Sequence, residues 1–195
     1  MRPRPDRIER LPEQYFTTLL ARVLAAGQDV VDVGRGNPDI PPPAHVVEAL
    51  VSAAREGTVA VHGYPPFAGL PTAKEAIADR YASVYGVTLD PEREVALLPG
   101  TTTALVELAL VLAEHGERIL LPDPGYPDYN SAVALAGAER VALPLAEDGR
   151  PEWVEAPRDR VAAVYLNFPA NPSAVAAPPG VFAEAVAFAQ ESGAA

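Results

Sequence analysis

Apolar positions along this chain change their spacing several times, and each change marks an element. In LPEQYFTTLLARVLAA (11–26), Phe16, Leu19, Leu20, Val23 and Leu24 fall on one helical face, and Gly27 closes the helix. DVVDVG (29–34) predicts a short strand, whereas RGNPDIPPP (35–43) is too rich in proline and glycine for regular structure. Residues 44–55 read as a helix and VHGYPPFAGLP (61–71) as an irregular loop. From Pro71, a favoured first helical residue, Ala73, Ile77, Tyr81 and Val84 form a stripe that lasts to Tyr85. The pattern then becomes regular. Strands are expected at 94–99, 118–122, 139–145 and 161–168, and helices at 100–116, 125–137 and 178–192. The first of these helices would turn Ala104, Leu105, Leu108, Leu112 and His115 to one side, and the last would bury Phe182, Val186 and Ala189.

Strands alternating with amphipathic helices imply right-handed βαβ units. The expected class is α/β, a three-layer α/β/α arrangement with a mostly parallel sheet. Ligands in such folds bind beyond the carboxyl ends of the strands. Three unusual loops fall there: PGTTT, PDPGYPDY and NFPANPSA.

Composition narrows the reading. The chain has 195 residues, 49% of them hydrophobic, enough for a core that buries roughly 70% of the unfolded surface. No apolar run approaches transmembrane length, and MRPRPDRIER lacks the apolar stretch of a signal peptide, so 1–10 is expected to be a flexible arm. With no cysteine, disulfides and thiolate metal sites are excluded, which fits a cytoplasmic location. A net charge of −11 argues against nucleic acid as a partner. Lysine occurs once, at Lys74, beside Glu75 and off the Ile77–Tyr81–Val84 stripe, which predicts a solvated surface residue. Glu92, Arg93 and Glu94 read as a solvated turn. His45, His62 and His115 fall in separate elements and suggest no catalytic set, and Asp123 and Asp128 lack further ligands at metal-binding spacing.

The loops carry the candidate chemistry. In LLPGTTTAL, Gly100 permits close backbone approach, and Thr101 and Thr102 stand at a helix N-terminus. There they would either cap the helix or hold an anion with the free N–H groups. Tyr126, after a glycine turn, would either stack on a flat heterocycle or close the loop over the core. Asn167 and Asn171 offer donors and acceptors, an Asx-turn explains one of them, and Pro172 permits a cis bond after Asn171.

Together GRGNPDIPPP, HGYPPFAGLPTAKEAIADRY, LLPGTTTALVELAL, ILLPDPGYPDY and LNFPANPSA resemble, in order and spacing, the N-terminal half of a fold-type-I, pyridoxal-phosphate-dependent aminotransferase of class I/II. The resemblance spans about residues 10–195, and the nearest branches are LL-diaminopimelate aminotransferase-like and methionine-salvage enzymes. It implies that 11–60 form the N-terminal helix and part of the small domain, and 61–195 the first part of the large domain. It implies pyridoxal 5'-phosphate as cofactor, with its phosphate on Gly100, Thr101 and Thr102, its ring under Tyr126 and its phenolic oxygen at Asn171. Tyr64 would reach the phosphate of a neighbouring subunit's cofactor, which implies a homodimer, and Gly36 would lie near the substrate carboxylate. The substrates would be an amino acid and a 2-oxo acid.

Departures are specific. Ser173 and Ala174 stand where the family has Thr and Gly, so a left-handed backbone at 174 is not expected. Gln14 stands where some diaminopimelate enzymes have a substrate-contacting tyrosine, so that substrate is not expected. The family's Schiff-base lysine, its carboxylate for the pyridinium nitrogen and its substrate-clamping arginine all fall beyond these residues, and the chain holds no catalytic residue of its own. The remainder would lie on a longer chain or a second polypeptide, and the 195 residues alone are expected not to transaminate. A carbon–sulfur lyase on the same scaffold and a non-catalytic cofactor- or partner-binding subunit are the alternatives.

Overall fold

The computed structural model describes residues 3–27, 30, 31, 33, 34, 36 and 38–195. In chain order the elements are α1 (Asp6–Glu9), α2 (Tyr15–Ala26), α3 (Ala44–Arg55), α4 (Val59–His62), α5 (Pro71–Tyr85), α6 (Thr101–Leu112), β1 (Arg118–Asp123), α7 (Asp128–Ala136), β2 (Glu139–Pro144), a 3₁₀ turn (Trp153–Glu155), β3 (Val161–Val164) and α8 (Val181–Ser192). They fall into two compact units, one of 1–25 with 100–195 and the other of 26–99.

The first unit is built on a parallel sheet of order β2-β1-β3. β1 is buried on both faces, as a central parallel strand must be. Ile119 and Leu121 pack with Ala109, Tyr129, Val133 and Ala163 under α6 and α7. Leu120 points the other way, to Leu143, Val161 and Phe188 of α8. The α/β/α layering and the parallel sheet are therefore as expected. At the carboxyl side of the chain Ala195 donates to the Ala162 carbonyl and accepts from the Val164 N–H, both at 3.0 Å, bridging β3 in parallel fashion opposite Ala163.

Several local expectations are corrected. On α8, Phe182 and Val186 are each 56% exposed, while Val181 and Phe188 are buried. Trp153 stacks on Phe188 with ring centroids 4.8 Å apart, and Arg158 lies over the same ring at 5.1 Å. On α6, Ala109 is buried and Leu105 and Val106 pack against the core, whereas Leu108 and Leu112 are exposed. Both helices are apolar around most of their circumference, so periodicity does not choose which side meets the sheet. β3 ends at Val164, four residues early. Segment 1–10 contains the turn α1, which packs against α7.

In the second unit, 94–99 joins no ladder among the described residues. The Leu97 N–H is satisfied by the Ala68 carbonyl at 3.0 Å instead. The strand expected at 29–34 includes positions outside the described residues, and Val30, Val31 and Val33 are exposed and in no strand. Lys74 is not a solvated residue. It is 3% exposed, with its Nζ 3.5 Å from Glu92 Oε1 and 3.4 Å from the Glu92 carbonyl. The stripe residues Tyr81 and Val84 are the exposed ones, and Lys74 and Ala78, four apart, form the buried side of α5. Glu92 is thus less a free turn residue than the partner of the buried ammonium.

The α8 face gives a direct test. Phe188→Ala should cost about 3–5 kcal/mol of unfolding free energy and Val186→Ala about 0.5 kcal/mol or less, in urea melts followed by the fluorescence of Trp153, the single tryptophan.

Candidate functional site

Parallel strands deliver their carboxyl ends to one edge, and three of the expected residues reach that edge by different routes. α6 leads into β1, so its N-terminus lies toward the end where β1 finishes. Gly100 caps it at φ 108°, ψ 151°, with no side-chain bond to the helix. Threonine capping is therefore not what PGTTT does. Only glycine takes that φ without strain, and a Cβ on Gly100 would meet nothing within 4 Å, so the space before the helix is open. Thr101 and Thr102 follow, both exposed, on the turn whose N–H groups have no intrahelical acceptor.

Tyr126 lies in the turn between β1 and α7. The turn needs Gly125, because a Cβ there would run into the Pro122 carbonyl oxygen. The Tyr126 hydroxyl donates to Asp128 Oδ2 at 2.9 Å, and the Thr102 side chain lies near enough to act on the phenol. The structure thus brings Thr102 and Tyr126 together. Tyr126 meets Tyr129 edge-on (centroids 5.5 Å, 76°), Tyr129 meets Tyr165 likewise (5.5 Å, 85°), and the Tyr165 hydroxyl donates to the Leu105 carbonyl on α6 at 3.2 Å. This row of rings ties the turn after β1, helices α6 and α7, and the end of β3 into one block. All three phenols are held above the ordinary tyrosine range, first by burial. The Asp128 carboxylate raises Tyr126 further, and Thr102 pulls it the other way.

Asn171 lies on the loop after β3 and is exposed. Its N–H donates to Asn167 Oδ1 at 3.4 Å, so Asn167 has the local turn-holding role. The Asn171–Pro172 bond is cis, as are Asp123–Pro124 and Phe168–Pro169. Ala174 adopts φ 59° in spite of its Cβ, contrary to expectation, and its N–H bonds the Ala170 carbonyl at 2.6 Å. Gln14 lies beside the same turn as Tyr126, lining a cleft with Gly125, Asp128 and Ser131, and donates to Ser131 Oγ at 3.5 Å. Asp123 is 3.7 Å from Arg140. Gly36 and Tyr64 belong to the second unit, where both are exposed.

Sequence reasoning missed Tyr129, Tyr165 and the role of Asp128. Tyr165 stands two residues after Ala163 and packs against the same cluster, and that spacing was the available signal. The Tyr126–Asp128 hydrogen bond has no signature in spacing. An open, glycine-capped helix start with two hydroxyls fits the phosphate ester of pyridoxal phosphate, and a tyrosine ring beside it fits the pyridine.

A family model, Aminotransferase class I and II, matches residues 28–195. Among curated proteins the chain is 41% identical over 194 residues to an L-glutamine–4-(methylsulfanyl)-2-oxobutanoate aminotransferase of Bacillus subtilis (strain 168), covering 95% of this chain and 48% of that protein. It is 37% identical to an LL-diaminopimelate aminotransferase of Moorella thermoacetica, over 94% of this chain and 49% of that one. The solved structure of substrate-bound BacF from Bacillus subtilis superposes with a TM-score of 0.88 at 38% identity, over the whole of this chain and 51% of BacF. The chain thus spans about half the length of the relatives it matches. Among the described residues, no helix is long and apolar enough to cross a membrane.

Two predictions follow from the site's geometry. Ala174→Gly should raise the unfolding free energy by about 0.5–1 kcal/mol in urea melts, because the left-handed backbone then carries no Cβ. The raised phenols stabilise the fold only while protonated. Their contribution is complete below about pH 10 and is lost as pH climbs through their higher folded values. Alkaline unfolding, followed by tyrosinate absorbance, should therefore shift to higher pH in Tyr129→Phe.

Proposed function

We infer that this chain, which belongs to the aminotransferase class I and II family, is the cofactor-holding half of an enzyme that moves an amino group from an amino acid to a 2-oxo acid. The family depends on pyridoxal 5'-phosphate. The observation that carries the reading is the start of α6, glycine-capped and open, with Tyr126 beside Thr102. When bound, the cofactor supplies an electron sink for the pair released at the substrate's α-carbon.

The chain's own residues do the holding. Gly100 lets the backbone come close, and the first N–H groups of α6 with the Thr101 and Thr102 hydroxyls bind the phosphate. Tyr126 covers the ring. Asn171 donates to the phenolic oxygen and favours its ionised form. Gly36 admits the substrate carboxylate, and Tyr64 serves the phosphate of a second subunit, so the working form is a cytoplasmic homodimer. In this reading 11–60 contribute to a small domain and 61–195 to a large one.

Lys74 does not serve the chemistry. It is buried on α5 against Glu92, and the sequence has no other lysine. The reactive lysine, the pyridinium partner and the substrate-clamping arginine belong to a further segment or a second polypeptide. Relatives named for glutamine, methylsulfanyl-oxobutanoate and diaminopimelate support small amino acids and oxo acids as the substrate class.

The test is titration of the purified chain with pyridoxal 5'-phosphate, followed by borohydride reduction and intact-mass measurement. Reversible binding is expected, with the 20.5 kDa chain free of any reduced adduct at Lys74 and without transaminase activity. Gly100→Ala should weaken binding at least about tenfold, through strain at a φ reserved for glycine. Absence of binding, or an adduct at Lys74 with turnover, would overturn the reading.

A further inference from the structure

We propose that Asp128 is the positioning residue of the cofactor site, fixing the plane of the Tyr126 ring through the hydrogen bond between its carboxylate and the phenol. This rests on the reading that Tyr126 covers the pyridine.

A tyrosine in a turn has two side-chain rotations to lose before its face can be offered in one orientation. Tyr126 is held at two places. Its ring edge meets Tyr129, itself buried and locked against Tyr165. Its hydroxyl is held by Asp128 at 2.9 Å. The ring contact alone leaves the tilt of the phenol undetermined, and the hydrogen bond sets it. Asp128 is itself well placed for this. It opens α7, where the helix's N-terminal partial charge favours a carboxylate, and it is only partly exposed, so water competes weakly for its oxygen. Asp128 has no ion-pair partner among the described residues, and its bond to the phenol is charge-assisted.

The experiment measures pyridoxal 5'-phosphate affinity of the full chain as wild type, Asp128→Ala, Asp128→Asn, Asp128→Glu, Tyr126→Phe and the double variant Tyr126→Phe/Asp128→Ala. Asp128→Ala should bind about tenfold more weakly, and Asp128→Asn, which keeps an acceptor in place, within about threefold of wild type. In the Tyr126→Phe background Asp128→Ala should add nothing, because the two act as one unit. Asp128→Glu keeps the charge on a longer arm and should weaken binding more than threefold, which decides the matter if the alanine variant does not fold. The tyrosinate titration supplies a readout free of cofactor, since both Asp128→Ala and Asp128→Asn should bring part of it to lower pH. Wild-type affinity in Asp128→Ala, in Asp128→Glu if the alanine variant does not fold, or additive losses in the double variant, would overturn the proposal while leaving the cofactor reading intact. Failure of the wild-type chain to bind would remove both.

Discussion

Four consecutive residues of β1, from Ile119 to Pro122, have no exposed side, and that double-sided burial sets the terms for the first unit. A strand covered on both faces must have helices above and below it. It must also take its neighbours in parallel, because each return to the sheet is made through a helix or a long crossing segment. Parallel neighbours release their ends on the same side. The turn holding Tyr126, the loop holding Asn171 and the start of α6 therefore fall along one edge of the sheet without any of them needing a long reach.

The meeting place uses little formal charge. The protein carries an excess of 11 negative charges, yet the donors at the start of α6 are backbone N–H groups and two hydroxyls. Fixed dipoles of this kind do not have to be gathered from flexible arms and lose little order when an anion arrives. The row of Tyr126, Tyr129 and Tyr165 serves the same end mechanically, since it makes the helix start, the turn and the end of β3 one packed body.

The layered α/β arrangement was legible because its signals are redundant. Each strand of the sheet has a short apolar run with a helix directly before or after it, and α7 and α8 both end on a glycine. What was not legible was rotation. α6 and α8 are apolar nearly all round, so the side that faces the sheet is decided by partners such as Trp153 and Ala109 that no period reveals. Lys74 defeated the rule that lysines stay outside, because its stem can pass through a buried position while its ammonium ends on Glu92. The strand expected at 94–99 needs a neighbour to become one, and Leu97 finds a loop carbonyl instead. At the site, the loops were recognisable by composition. The hydrogen bond from Tyr126 to Asp128 depends on the fold of the turn, which residue spacing does not encode.

The two margins of the sheet differ in kind. β2 faces outward with Glu139 and Arg140 at one end and Pro144 at the other, a combination that discourages any further strand. β3 is Val-Ala-Ala-Val, without charge or proline, and already accepts the backbone of Ala195 in parallel. The sheet is therefore polar in its capacity to grow, closed at one side and templating at the other.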